Sequence, residues 1–199
     1  MSVIFNGDII MKKRAYIIPI VIISSLTIII YLFWGHIGVS LSGFRYVFDN
    51  QKYNHSYDKL TDNLEFQILL SDLDKNTGKT IFNQDGCVVK ISEVRSYEND
   101  NYIVFFETCG TYGYKTSKLI SGIKYTNNMS TEFTAKLEIK SDDKYYKCSL
   151  QGYSPMSMKT GDAFAFYMFN IDSNKALVAK DNRVTLSLSG LTINQWVKK

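Results

Sequence analysis

Ala15 to Trp34 is a stretch of 20 residues without a charge, and it constrains this chain more than any other feature. Sixteen of the 20 are apolar; Pro19, Ser24, Ser25 and Thr27 are the exceptions. At about 1.5 Å per residue such a helix reaches roughly 30 Å, the thickness of a bilayer's hydrocarbon core. Lys12, Lys13 and Arg14 abut its start, and the next basic residue is Arg45. That asymmetry predicts a cytoplasmic N-terminus and places residues 35–199 outside the cytoplasm. Tyr16, Tyr31, Phe33 and Trp34 lie near the two ends, where interfacial aromatic side chains belong. Pro19 is expected within about the first turn, where its missing N–H matters least. A cleaved signal peptide is the rival reading. Its apolar region runs about 7–15 residues and ends in a small-x-small site, whereas this stretch is longer and ends in Tyr31-Leu32-Phe33-Trp34. The expectation is an uncleaved helix over 15–34 in the cell (inner) membrane, after a cytoplasmic tail over 1–14 that starts at Met1 or Met11.

Behind the helix, residues 35–63 read as a stalk or linker, because Asp49–Asn63 is polar and shows no sustained period of 3.6 or 2. From Leu64 onward strand signals recur every 10–15 residues with turn residues between them. Cys87–Tyr97 and Tyr102–Cys109 flank the loop Glu98-Asn99-Asp100-Asn101. In Glu132–Lys140 the apolar residues Phe133, Ala135, Leu137 and Ile139 alternate with polar ones, the pattern of a half-buried antiparallel strand. The turn Ser141-Asp142-Asp143-Lys144 then sets Ile139 opposite Tyr146, Leu137 opposite Cys148 and Ala135 opposite Leu150. Asp162–Ile171 is apolar on both parities and is expected in a central position; Arg183–Gly190 alternates again. No helix-length amphipathic segment follows Trp34. Residues 64–199 are therefore expected to be all-β, an antiparallel β-sandwich of immunoglobulin type, with a barrel as the alternative.

The remaining composition narrows function by exclusion. Aromatic residues make up 14% and there are only two prolines, which rules out a disordered chain. The net charge of +4 includes the three positive residues before the helix, so no nucleic-acid surface is implied. The two histidines, His36 and His55, fall beside the helix and in the expected stalk. A Ser-His-Asp, Cys-His or His-based zinc site within 64–199 is thereby excluded. Gly78-Lys79-Thr80 lacks the first glycine of a phosphate-binding loop, since Leu73 stands in its place. Asp72-x-Asp74-x-Asn76 imitates a calcium loop, but its glycine comes one position late and Asn83 replaces the bidentate glutamate. No cofactor or metal is called for. Glu107, within Phe105-Phe106-Glu107-Thr108-Cys109, is the one carboxylate with an apolar setting.

Three cysteines on the outer side allow one disulfide and one buried thiol. Cys87–Cys109 is the expected pair, although a bulge is needed to bring them level. The segment Gly152–Gly161 reads as the longest late loop. Its Tyr153, Met156 and Met158 around Pro155, with Tyr97 at the same end of the sandwich, form the expected partner-binding surface. The alternative is that these side chains fold back and plug the end of the sandwich.

Tyr125-Thr126-Asn127-Asn128, and Lys159-Thr160-Gly161-Asp162 leading into Phe164, Phe166 and Phe169, give the chain a resemblance. It resembles small bacterial membrane-anchored envelope proteins with immunoglobulin-like extracytoplasmic domains. These are strand and turn positions, so no functional residue carries over. Together the features imply a non-enzymatic, membrane-tethered protein that binds a protein partner such as a toxin, in the manner of an immunity or exclusion protein. The alternatives are an accessory subunit of an envelope or secretion complex, which the polar residues Ser24, Ser25 and Thr27 in the helix would serve, and an enzyme with a carboxylate-only site.

Overall fold

The computed structural model describes residues 7–97, 101–126, 130–141, 144–168 and 182–199, with the backbone alone for 7–17 and 156–158. The chain opens with helix α1 (Gly7–Ser42), 36 residues long and so about 54 Å from end to end. It overruns the expected 15–34 segment at both ends. Pro19 accordingly sits in the helix interior rather than in its first turn, where its ring removes one backbone hydrogen bond. From Ile18 to Trp34 every large apolar side chain is bare, from 48% exposed at Ile30 to 81% at Tyr31. Ile18–Ser42 is long and apolar enough to cross a membrane.

This helix meets the rest of the chain at Gly35 and His36, beside Tyr114, and its first buried residue is Val39, which is 5% exposed. Gly43, at φ +57, breaks the helix beside the carbonyl of Lys159; a Cβ there would lie 2.1 Å from that oxygen. The short helix α2 (Phe44–Phe48) follows and buries Phe44 and Val47. Next comes β1 (Tyr53–Lys59), paired antiparallel with the last strand, β15 (Thr192–Lys198), with Tyr53 opposite Lys198. β15 pairs in turn with β7 (Thr116–Ser121), and β7 with the two-residue β6 (Thr111–Tyr112). Val39, Phe44, Val47, Tyr53, Leu119, Ile123, Tyr125 and Trp196 close around one another as a core between the helices and this sheet. The expected stalk over 35–63 is thus part of the folded domain, which begins near Val39 rather than at Leu64. Polar strand β1 escapes a hydropathy reading because only Tyr53 of its seven residues is buried.

The larger core lies between two further sheets. One has the order β11-β10-β14-β2, from β2 (Leu64–Leu69), β10 (Lys136–Ser141), β11 (Lys144–Lys147) and β14 (Arg183–Ser189). The other has the order β12-β13-β5-β4-β3, from β3 (Thr80–Gln84), β4 (Cys87–Tyr97), β5 (Asn101–Cys109), β12 (Ser149–Met158) and β13 (Gly161–Tyr167). All pairings are antiparallel. Leu137, Ile139, Leu186 and Leu188 from the first face Ile91, Val104, Phe106 and Phe166 from the second. The architecture is an antiparallel β-sandwich with one apolar N-terminal helix. A two-stranded ribbon, β8 (Ile123–Tyr125) with β9 (Thr131–Phe133), completes it. Leu119 and Ile120, neighbours on β7, point into different cores, so the two cores share one strand.

The Asp72–Gly78 turn is a turn, with a 3-10 segment over Leu73–Asn76. The buried Asn76 amide accepts from Leu69 N at 2.8 Å and donates to the carbonyls of Leu69 and Leu73 at 2.9 and 3.0 Å. Its oxygen is committed to the backbone, and Asp72 pairs with Lys75 at 2.9 Å.

Candidate functional site

The residues expected to form a binding loop lie in a β-hairpin, not a loop. Tyr153 stands opposite Phe164 in the β12–β13 ladder, which turns its ring inward. There it stacks on Phe133, with centroids 5.0 Å apart and planes at 25°, and stays 42% exposed because β12 is an edge strand. Met158 is opposite Gly161 at the hairpin tip; the side chains of Met156 and Met158 lie outside the described residues. Tyr97 is at the far end of the same sheet. It pairs with Asn101 and its ring is 6.2 Å from Tyr167, whereas the hairpin tip meets the opposite end of β5 through Gly110 N to Thr160 O at 2.9 Å. The shared end expected for Tyr97 and the hairpin therefore does not form: strand direction separates them. Pro155 does share a recess with Tyr125, Phe48, Arg45 and Asp49.

The Cys87–Cys109 disulfide is also corrected: all three cysteines are free. A bulge between Ile91 and Glu93 sets Cys109 opposite Val88. Residues opposite each other share a face, so Cys109 is on the outer face with Val88 while Cys87 is buried on the inner one. The Cys87 thiol is pushed above its ordinary pKa, chiefly by burial. Burial lifts that of Cys148 to about 12. Neither has the character of a nucleophile.

The outer face of the five-stranded sheet carries a shallow trough. Gly152, Ser154, Ala163 and Ala165 make a floor of small residues beside Phe105, around a cavity of about 330 Å³. Charged pairs border it: Lys90–Glu107 at 2.9 Å and Arg95–Glu93 at 2.7 Å, with the Arg95 guanidinium 5.1 Å from the Phe105 ring centroid. Glu107, the carboxylate singled out in the sequence, is thus half of an ion pair across two strands.

Histidine requires a second correction. Because β1 belongs to the domain, so does His55. It sits opposite Trp196, its ring 4.9 Å from the indole, and its Nε2 lies 3.3 Å from Asn194 Oδ1. Burial lowers its pKa below the usual 6.5, and the Asn194 hydrogen bond opposes that shift. Its neighbours are the Asn194 amide, the Trp196 indole and the Tyr57 ring. The buried carboxylate of Asp162 accepts hydrogen bonds from the Ser121 and Tyr125 hydroxyls, and its backbone N–H donates to Thr108 Oγ1 at 3.1 Å. It is wholly buried where β13 meets β7 and β8, and it ties the two cores together.

Where α1 meets the domain, a cavity of about 470 Å³ opens between Tyr31, Trp34 and Gly35 of the helix and Tyr46, Lys52, Tyr53, Tyr114 and Lys198 of the domain. Gly35 permits this approach: a Cβ there would fall 2.0 Å from the Tyr114 ring. Tyr53 donates to the Tyr114 carbonyl at 2.9 Å, and His36 lies 4.2 Å from the Tyr114 ring. The Lys198 ammonium sits 3.4 Å from the centroid of that ring. Lys198, as donor and as charge, lowers the Tyr114 phenol below its ordinary pKa; Lys52 adds a smaller pull and desolvation opposes both. No sequence motif marks this cavity, because strand register assembles it from positions as distant as Tyr31 and Lys198. Among the described residues no group of three or more His, Cys, Asp or Glu side chains is placed to hold a metal. Comparison of the chain with protein-family models, with curated proteins and with solved structures finds no match.

Proposed function

We propose that the chain is a single-pass membrane protein with a cytoplasmic N-terminus, whose β-sandwich acts outside the cytoplasm as a non-enzymatic binding module for a protein partner, of the immunity or exclusion type. One observation carries the reading: a helix bare on every side from Ile18 to Trp34 continues without a break into residues packed in the domain core. Such a helix is a poor fit to water and a good one to lipid. Cleavage near Trp34 would also strip one wall from the cavity over Tyr114, which favours retention over removal. The groups at hand suit adhesion better than reaction. Exposed Tyr97, Tyr153 and Tyr167 lie on or beside the five-stranded sheet, where aromatic side chains with polar tips serve as contact residues.

The accessory-subunit reading draws less support from the helix. The Ser25 hydroxyl donates to Ile22 O and the Thr27 hydroxyl to Ile23 O, both at 2.8 Å. Each is satisfied within its own helix and does not need a neighbouring one.

Affinity capture of the intact protein from detergent-solubilised membranes, read by mass spectrometry, tests the proposal. A single stoichiometric toxin or phage protein is the expected catch. A stoichiometric envelope or secretion complex overturns the immunity reading in favour of the subunit. Protection of the domain from protease in intact cells with a permeabilised outer layer overturns the orientation.

A further inference from the structure

We infer that the cavity between the apolar helix and the domain is a binding site for the phosphodiester headgroup of an anionic membrane phospholipid. The inference rests on the reading of α1 as a membrane anchor. Trp34 and Tyr31 close the strongly apolar run of the helix, where interfacial aromatic side chains mark the depth at which acyl chains give way to headgroups. The same cavity is lined by Lys52 and Lys198 and by no acidic side chain. Among the described residues neither lysine has an ion-pair partner.

Register, not sequence, brings the two charges to this level. Tyr53, next to Lys52, is opposite Lys198, and Lys199 N donates to Lys52 O at 2.8 Å. Lys115 joins them, its carbonyl accepting from Lys198 N at 2.9 Å. Folding thus gathers Lys52 and Lys198, from opposite ends of the domain's sequence, at one cavity. The expected orientation of the helix stands beside this, because Lys12, Lys13 and Arg14 abut its start and outnumber Arg45 and Lys52 on its other side.

The chemistry selects an anion. Two ammonium groups without a facing carboxylate attract an anion, and the single negative charge of a phosphodiester can be shared between them. Tyr46 and Tyr114 offer phenols at the rim, and Trp34 and Tyr31 give the glycerol and upper acyl chain an apolar wall. A free phosphate would have no use for that wall.

Native mass spectrometry of the full chain in nanodiscs tests the inference, using phosphatidylglycerol mixed with phosphatidylcholine. Wild type is expected to retain phosphatidylglycerol in preference to phosphatidylcholine. Lys52→Gln with Lys198→Gln should weaken that retention about thirtyfold, at roughly sixfold per lysine near an anionic surface. Lys52→Arg with Lys198→Arg should preserve it, and unchanged circular dichroism in the Gln pair shows that folding is intact. Equal retention by wild type and the Gln pair overturns the inference, as does displacement of the lipid by millimolar inorganic phosphate, which would mark a free-anion site. Incorporation into purely phosphatidylcholine nanodiscs reports the anchor independently of charge. Failure there refutes the anchor and the lipid site together; normal incorporation without lysine-dependent retention refutes the site alone.

Discussion

Phe44→Ala asks whether the segment before β1 is a tether or part of the fold. Phe44 is completely buried. Its ring centroid is 5.7 Å from those of both Tyr112 and Trp196. Its Cζ lies 2.9 Å from where a Cβ on Gly110 would be, so the tip abuts strand backbone that has little freedom to move inward. Truncating a buried Phe costs about 3–5 kcal/mol, and more where the cavity cannot collapse. Loss of two favourable ring pairs adds to the same end. A value of about 4 kcal/mol follows, which in a chain of this size lowers Tm by roughly 8–16 °C. In a flexible stalk the same change would stay within about 0.5 kcal/mol. Thermal unfolding of the full chain in detergent, followed by near-ultraviolet circular dichroism, reads the difference, with Leu188→Ala in the larger core as the benchmark. A shift under 2 °C for Phe44→Ala beside a large one for Leu188→Ala would falsify the assignment of 39–63 to the domain.

Three further outcomes follow from Asp162, His55 and Cys148. Asp162→Ala removes the acceptor shared by the Ser121 and Tyr125 hydroxyls and should cost about 2–6 kcal/mol at roughly 1–3 for each hydrogen bond lost in the core; a Tm within 2 °C of wild type in thermal unfolding contradicts the tie between the cores. Stability should fall as pH drops below about 6.5, since His55 is held neutral in the fold and takes up a proton more readily when unfolded. That acid slope saturates once the folded histidine is itself protonated, and urea titrations of His55→Gln at several pH values should show it reduced. With a thiol pKa of about 12, Cys148 carries only about one part in ten thousand of thiolate at pH 8, so maleimide should label it only after unfolding; a disulfide-linked Cys87–Cys109 peptide under non-reducing digestion would contradict the strand parity.

What the chain reveals before folding depends on whether buried positions are apolar. β10 and β11 are legible: Leu137 and Ile139 alternate with charges, the turn is short, and Ile139 does pair with Tyr146 while Cys148 N bonds Leu137 O. The expected continuation, Ala135 opposite Leu150, fails because the chain leaves that sheet after Cys148 and joins the other one as β12. β15 inverts the usual pattern. Its buried face is Thr192, Asn194 and Trp196, whereas Val197 is 42% exposed, so hydropathy parity points to the wrong side. Asn194 can be buried because its amide serves Ile123 O, Tyr125 N and His55. The cavity beside the helix was illegible for another reason. It depends on β1 finding β15, a pairing across some 140 residues that no local signal encodes.

A helix joined to its domain by a flexible stalk would let the sandwich sample every tilt. Here the joint is packed: Gly35 rests on Tyr114, Gly38 on Tyr46, and α2 closes the core beneath Trp196. A Cβ at Gly38 would fall 2.2 Å from the Tyr46 ring, so even alanine forces that ring away. The domain therefore inherits its orientation from the helix axis. If that axis crosses a bilayer, the lysine-lined mouth faces the headgroups and the outer face of the five-stranded sheet stands at a fixed angle to the membrane plane. On the proposed reading, a partner then meets one pose rather than an ensemble, which lowers the entropy lost on binding. The proposed lipid site beside α1 and the proposed partner surface on the five-stranded sheet use different residues, so Lys52→Gln with Lys198→Gln is expected to leave partner capture intact.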